Sequence, residues 1–109
     1  MPVNQVKQQF PQIKQHIGNA ERICQSSQSV PQELKQALGQ LDQRSTEAQQ
    51  MMQSEQDEQR IVQCVDELEQ LSDQAIQACR QAGASIDPQL KNAVQSAHDG
   101  LSNLKHQLH

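Results

Sequence analysis

The stretch "SVPQELKQAL", Ser29 to Leu38, is echoed by "SIDPQLKNAV", Ser85 to Val94. Each begins with a hydroxyl side chain, reaches a proline within a few residues, and then settles into an apolar run. Ser29 with Gln32 three residues on has the form of a capping box, and Pro31 falls in the first turn, where a missing backbone donor costs nothing. Asp87 followed by Pro88 offers the same logic in cap-then-proline order. Both stretches therefore read as helix starts, and what precedes them decides the fold.

Upstream of Ser29 an apolar stripe runs through Val3, Val6, Phe10, Ile13, Ile17, Ala20 and Cys24. Their steps alternate three and four, which lines one face of an α-helix. Pro11 removes a donor and crowds the carbonyl of Lys7, so the helix kinks there or begins there, and residues 12–25 are its secure part. The polar run Gln25 to Ser29 reads as a turn. The second helix then carries Leu34, Leu38, Leu41, Ser45, Ala48 and Met52.

Beyond Met52 the phase of the stripe changes, because continuing it leads to Gln59, Val62 and Asp66 while the sequence supplies Ile61, Val65 and Leu68. Ser54 followed by Glu55, Asp57 and Glu58 has the composition of a new N-terminus, a hydroxyl cap and then carboxylates at the positive end of the helix dipole. A break is expected here. The alternative is one helix over 31–82 with a stutter, in a chain that dimerises to complete its core. The third helix carries Ile61, Val65, Leu68, Ser72, Ala75, Cys79 and Ala82, flanked by Val62, Leu71 and Ile76, and stops at Gly83. The fourth carries Leu90, Val94, Ala97, Leu101, Leu104 and Leu108.

A shift of 55 or 56 residues lays Val6, Phe10, Ile13, Ala20 and Cys24 over Ile61, Val65, Leu68, Ala75 and Cys79, and Leu34, Lys35 and Ala37 over Leu90, Lys91 and Ala93. The expectation is an all-α, up-down-up-down four-helix bundle built from two tandem helical hairpins, repeat 1 about 3–54 and repeat 2 about 55–109, within a single domain spanning 1–109.

Composition narrows the function. The 109 residues carry a net charge of −4, with 34% apolar residues, one Phe, and no Trp or Tyr. Few stacking aromatics and no clustered cations argue against a nucleic-acid partner. The longest apolar run falls far short of the ~20 residues a membrane span needs. Three cysteines, Cys24, Cys64 and Cys79, cannot all pair within one chain, and no secretory signal is evident at the N-terminus, so a cytoplasmic location is expected. The glutamines are spread between aliphatic residues rather than run together, which favours helix over low-complexity disorder.

No catalytic signature, cofactor motif or metal-ligand cluster stands out, and the expectation is a non-enzymatic protein-binding or self-associating assembly module. Its most distinctive surface is acidic: residues 55–82 hold seven acids against Arg60 and Arg80. Glu55, Asp57, Glu58, Asp66, Glu67, Glu69 and Asp73 are the candidate docking residues for a basic partner. The rival class is a histidine phosphotransfer module with His98 or His16 as phosphoacceptor. Neither histidine is followed by the hydrophobic residue, Lys and Gly that usually flank such a histidine, and Asp99 would oppose a phosphoryl group at His98. His106 and His109, three apart, could hold a metal ion only weakly, since zinc sites use three or four protein ligands.

Overall fold

A computed structural model describes residues 3–27, 30–54, 57–83 and 86–108. Four helices fill them: α1 (Val3–Ser26), α2 (Gln32–Ser54), α3 (Glu58–Ala82) and α4 (Pro88–Leu108). Helices consecutive in the chain pack against each other, and α1 also packs against α4, so the helices form a closed ring about 41 Å long and 22 by 18 Å across. This is the up-down-up-down four-helix bundle.

The three-and-four spacing does what it must. From Val6 to Cys24 on α1, Leu34 to Met52 on α2, Ile61 to Cys79 on α3 and Leu90 to Leu108 on α4, the stripe residues are buried in one core. Val30 and Ile86, in the links before α2 and α4, are buried with them. Two stripe positions are serines, Ser45 and Ser72, both fully buried. Their hydroxyls donate back to their own helices, to the carbonyls of Asp42 and Glu69, each at 2.7 Å. That contact removes the cost of burying a hydroxyl among aliphatic side chains. Among the described residues no helix is long and apolar enough to cross a membrane.

The breaks fall close to their sequence signals, with two corrections. Helix α1 begins at Val3 and runs through Pro11. A mid-helix proline costs about 3 kcal/mol, but Val6 and Phe10 are buried before it and Ile13 and Ile17 after it, and each large buried side chain contributes roughly 1.5–3 kcal/mol. Burial on both sides carries the helix across. The second correction is the cap of α3. Ser54 stays in the last turn of α2, its hydroxyl donating to the Met51 carbonyl at 3.4 Å. Asp57 is the cap: its backbone is extended, and its carboxylate accepts the Gln59 N–H at 3.0 Å. A carboxylate serves the first turn better than a neutral hydroxyl, because it adds charge at the positive end of the dipole.

Asp87 repeats that geometry at α4, accepting the Gln89 N–H at 2.8 Å with its carboxylate and the Lys91 N–H at 3.1 Å with its carbonyl. Gly83 closes α3 at φ 64°, its N–H donating to the Cys79 carbonyl. Helix α2 opens with the Lys35 N–H donating to the Pro31 carbonyl at 3.1 Å, and the Ser29 side of the expected capping box lies outside the described residues. Salt bridges cross three of the seams, Lys14–Asp42 at 3.9 Å, Arg44–Glu67 at 3.3 Å and Lys105–Glu69 at 3.5 Å.

The α1–α4 seam is closed by contact rather than charge at Gly100. A Cβ there would lie 2.7 Å from Ile13 Cγ1, whereas a Cβ at Gly18 would meet nothing within 4 Å. The two glycines should respond oppositely to alanine. Gly100→Ala is expected to destabilise the bundle by roughly 1–3 kcal/mol through overpacking. Gly18→Ala should stabilise it by roughly 0.5–1 kcal/mol through helix propensity. Urea denaturation of the two variants measures both, and equal shifts of one sign would contradict this packing.

Candidate functional site

The acids of α3 divide between its two flanks. Glu69 is half-buried and bridges to Lys105 on α4, and Asp66 and Asp73, one turn to either side, share that flank. Asp73 accepts the Gln77 amide at 3.1 Å. Glu67 faces the other way, toward Arg44 on α2. Asp57 is engaged as a cap, Glu58 is exposed in the first turn, and Glu55 lies outside the described residues. The seven therefore do not converge: the α4-side acids hold intramolecular partners, and Glu67 belongs to a separate feature between α2 and α3.

That feature is a groove. Three shallow depressions, of about 330, 450 and 360 Å³, follow one another along the α2–α3 seam. They arise because the side chains beside the buried stripes are small, Ala37 and Ala78 near one end, Ala48 and Cys64 near the other, so the helix flanks leave space between them. Met51, Cys64 and Leu71 are only partly buried, and pack on the core from this side. One half of the groove is rimmed by Gln36, Gln40, Gln74 and Gln77 together with Glu33; the other is rimmed by Arg44, Glu47, Arg60 and Glu67. The floor is apolar in the charged half, at Ala48, Met51, Cys64 and Leu68, and an apolar patch with a polar and charged rim is the anatomy of a protein-docking surface.

Cys64 lies in the charged half. Burial pushes its thiol up to about 11, Glu67 and Glu47 push the same way, and Arg44 pulls against them. Cys24 is raised by burial and by Glu21, and Cys79 by burial and by Cys24 nearby, with Lys35 and Lys91 acting in the opposite direction. All three are free thiols. Such thiols are poor nucleophiles at neutral pH, because the reactive species is the thiolate.

The histidines separate as well. His16 is exposed on α1 and His106 is exposed near the end of α4, while His109 lies outside the described residues. His98 is half-buried, with its Nδ1 2.9 Å from the Ser72 hydroxyl across the α3–α4 seam. Among the described residues no group of three His, Cys, Asp or Glu side chains could hold a metal ion.

Neither the groove nor the Ser72–His98 contact was read from the sequence. The groove had a signal in Met51 and Cys64, apolar residues beside the stripes. The Ser72–His98 contact had none, since it depends on the register of two helices 26 residues apart in sequence.

The raised thiol has a consequence for stability. Between the ordinary value of 9.0 and about 11, the folded chain keeps the Cys64 proton that the unfolded chain loses. The folded state then binds more protons, so stability falls as pH rises through this window. Urea midpoints measured from pH about 8 to about 11 should fall more steeply for the wild type than for Cys64→Ala. Parallel slopes would show that Cys64 titrates normally.

Compared with known proteins, the chain matches no family model, no curated protein and no solved structure.

Proposed function

We propose that this chain is a non-enzymatic helical assembly module that associates with a second copy of itself through the α2–α3 groove. The groove carries this reading: an apolar floor of Ala48, Met51, Cys64 and Leu68 lies under a rim on which Arg44 and Arg60 alternate with Glu47 and Glu67. A rim holding both signs suits a copy of itself, since a two-fold axis allows cations of one chain to face anions of the other, with the Arg44–Glu67 pair at 3.3 Å already made within each chain. A strongly basic or strongly acidic partner would meet like charge on half of that rim. The amide-lined half adds hydrogen-bonding groups and, Glu33 apart, no charge to desolvate.

The acids on the α4 side of α3 contribute less to docking, because Glu69 and Asp73 already hold Lys105 and Gln77. Tandem hairpins in one domain fit this picture, with the α2–α3 seam as the junction between them. The three free thiols support a reducing, cytoplasmic setting.

Sedimentation velocity of the full chain over a range of concentrations tests the proposal. The expected result is a monomer–dimer equilibrium that shifts toward monomer in high salt, as the rim charges are screened. Met51→Glu places a carboxylate on the floor and should weaken the dimer about ten-fold or more, the equivalent of losing one buried apolar side chain. A chain that stays monomeric at every concentration, or a dimer that Met51→Glu leaves unchanged, would sink it.

A further inference from the structure

Ser72 has one hydroxyl hydrogen and two close polar neighbours, the Glu69 carbonyl at 2.7 Å and His98 Nδ1 at 2.9 Å. A carbonyl oxygen can only accept, so the arrangement that satisfies both contacts gives the hydroxyl hydrogen to Glu69 and leaves the Ser72 oxygen to accept from the ring. In that arrangement His98 carries its proton on Nδ1, and in the neutral ring the lone pair lies on Nε2. Ser72 is fully buried, which fixes its hydroxyl and with it the ring. His98 is half-buried, and its Nε2 is not among the fully buried side-chain nitrogens and oxygens that lack a partner, of which the described residues hold one, Glu21 Oε2, so this nitrogen keeps some contact with solvent. The bundle thus presents an imidazole of fixed tautomer whose nucleophilic nitrogen reaches solvent.

We propose that His98 Nε2 is a phosphoryl-accepting site, set by Ser72 and separate from the α2–α3 groove. In the transfer, the Nε2 lone pair forms a bond to phosphorus while the bond from phosphorus to the donor's leaving group breaks. The leaving group departs with that electron pair and takes up a proton from water. The ring becomes cationic, and its charge is shared with Nδ1–H, which Ser72 holds from behind with the Glu69 carbonyl in line. The acids of the adjoining turns favour that cation. They also oppose the incoming phosphoryl group: Glu69 is offset by Lys105 at 3.5 Å, while Asp73 and Asp99 keep their charge and accept the Gln77 and Gln95 amides at 3.1 and 3.0 Å. Asp99 is also exposed, where solvent and salt screen it. His16 and His106 are exposed and have no such hydroxyl assigned to them, so the structure selects His98 from the described histidines by its tautomer rather than by access.

Two measurements on the full chain test this. Nitrogen-15 chemical shifts of the unmodified protein should report Nδ1–H for His98 and, in Ser72→Ala, a return toward the Nε2–H form favoured by free imidazole side chains. Incubation with phosphoramidate, in which ammonia is the leaving group, followed by intact mass, peptide mapping and phosphorus NMR, should give one dominant adduct on His98 Nε2. That adduct should disappear in His98→Gln and form several-fold more slowly in Ser72→Ala. An Nε2–H tautomer in the wild type, an adduct on Nδ1, equal labelling of all the histidines, or no adduct would each overturn the proposal. The tautomer measurement stands even where a Ser72 variant fails to fold.

Discussion

The bundle depends on its first and last helices meeting, and at Ile13 that meeting leaves no room for a side chain on Gly100. The other three seams join helices adjacent in the chain, so a short link already holds their partners near one another. The α1–α4 seam joins residues almost a whole chain apart, and its loop-closure entropy is the largest in the fold. Dispersion between Ile13 and the bare backbone of α4 offsets it, because contact at van der Waals distance is what a glycine on a helix face permits. Once α4 lies against α1, Phe10, Ile17, Leu101 and Leu104 become fully buried, and the stripes of α2 and α3 gain a closed core to pack into.

The same economy governs the polar groups. A core with one aromatic residue and two serines on its stripes has little apolar surface to spare. Its hydroxyls return to their own helices, and its helix starts at α3 and α4 are held by Asp57 and Asp87. Carboxylates that the sequence presents as an acidic face are in large part consumed in this work. Asp57 caps, Glu69 bridges α3 to α4, and Glu67 bridges α3 to α2. Charge on a helix is available to a partner only after the fold has taken its share.

This explains what the sequence revealed and what it withheld. The stripes were legible because a period of three and four is a property of one helix, as were the stop of α3 at Gly83 and the start of α4 at Asp87. The passage through Pro11 was not, since it turns on burial of Val6 and Phe10 against other helices. The cap of α3 was legible in type but misplaced from Asp57 to Ser54, because both residues suit a cap and only the actual end of α2 separates them. The groove depends on what Ala37, Ala48, Cys64 and Ala78 fail to fill, and small residues beside a stripe look the same in sequence whether or not a neighbour covers them.

Ser72 shows how one residue can serve two levels of the structure. Read on α3 alone, it is a weak place in the stripe, a hydroxyl where an aliphatic side chain would pack better. Its donation to the Glu69 carbonyl repairs that locally and would be complete without any other helix. The same donation leaves its oxygen as an acceptor facing α4, where His98 stands in register. Ser45, on α2, has the same local repair at Asp42, and among the described residues no neighbouring helix offers its hydroxyl a second partner. The difference between the two serines therefore lies in the neighbouring helix and not in the serine, which is why the chemistry of this bundle is to be sought at its seams.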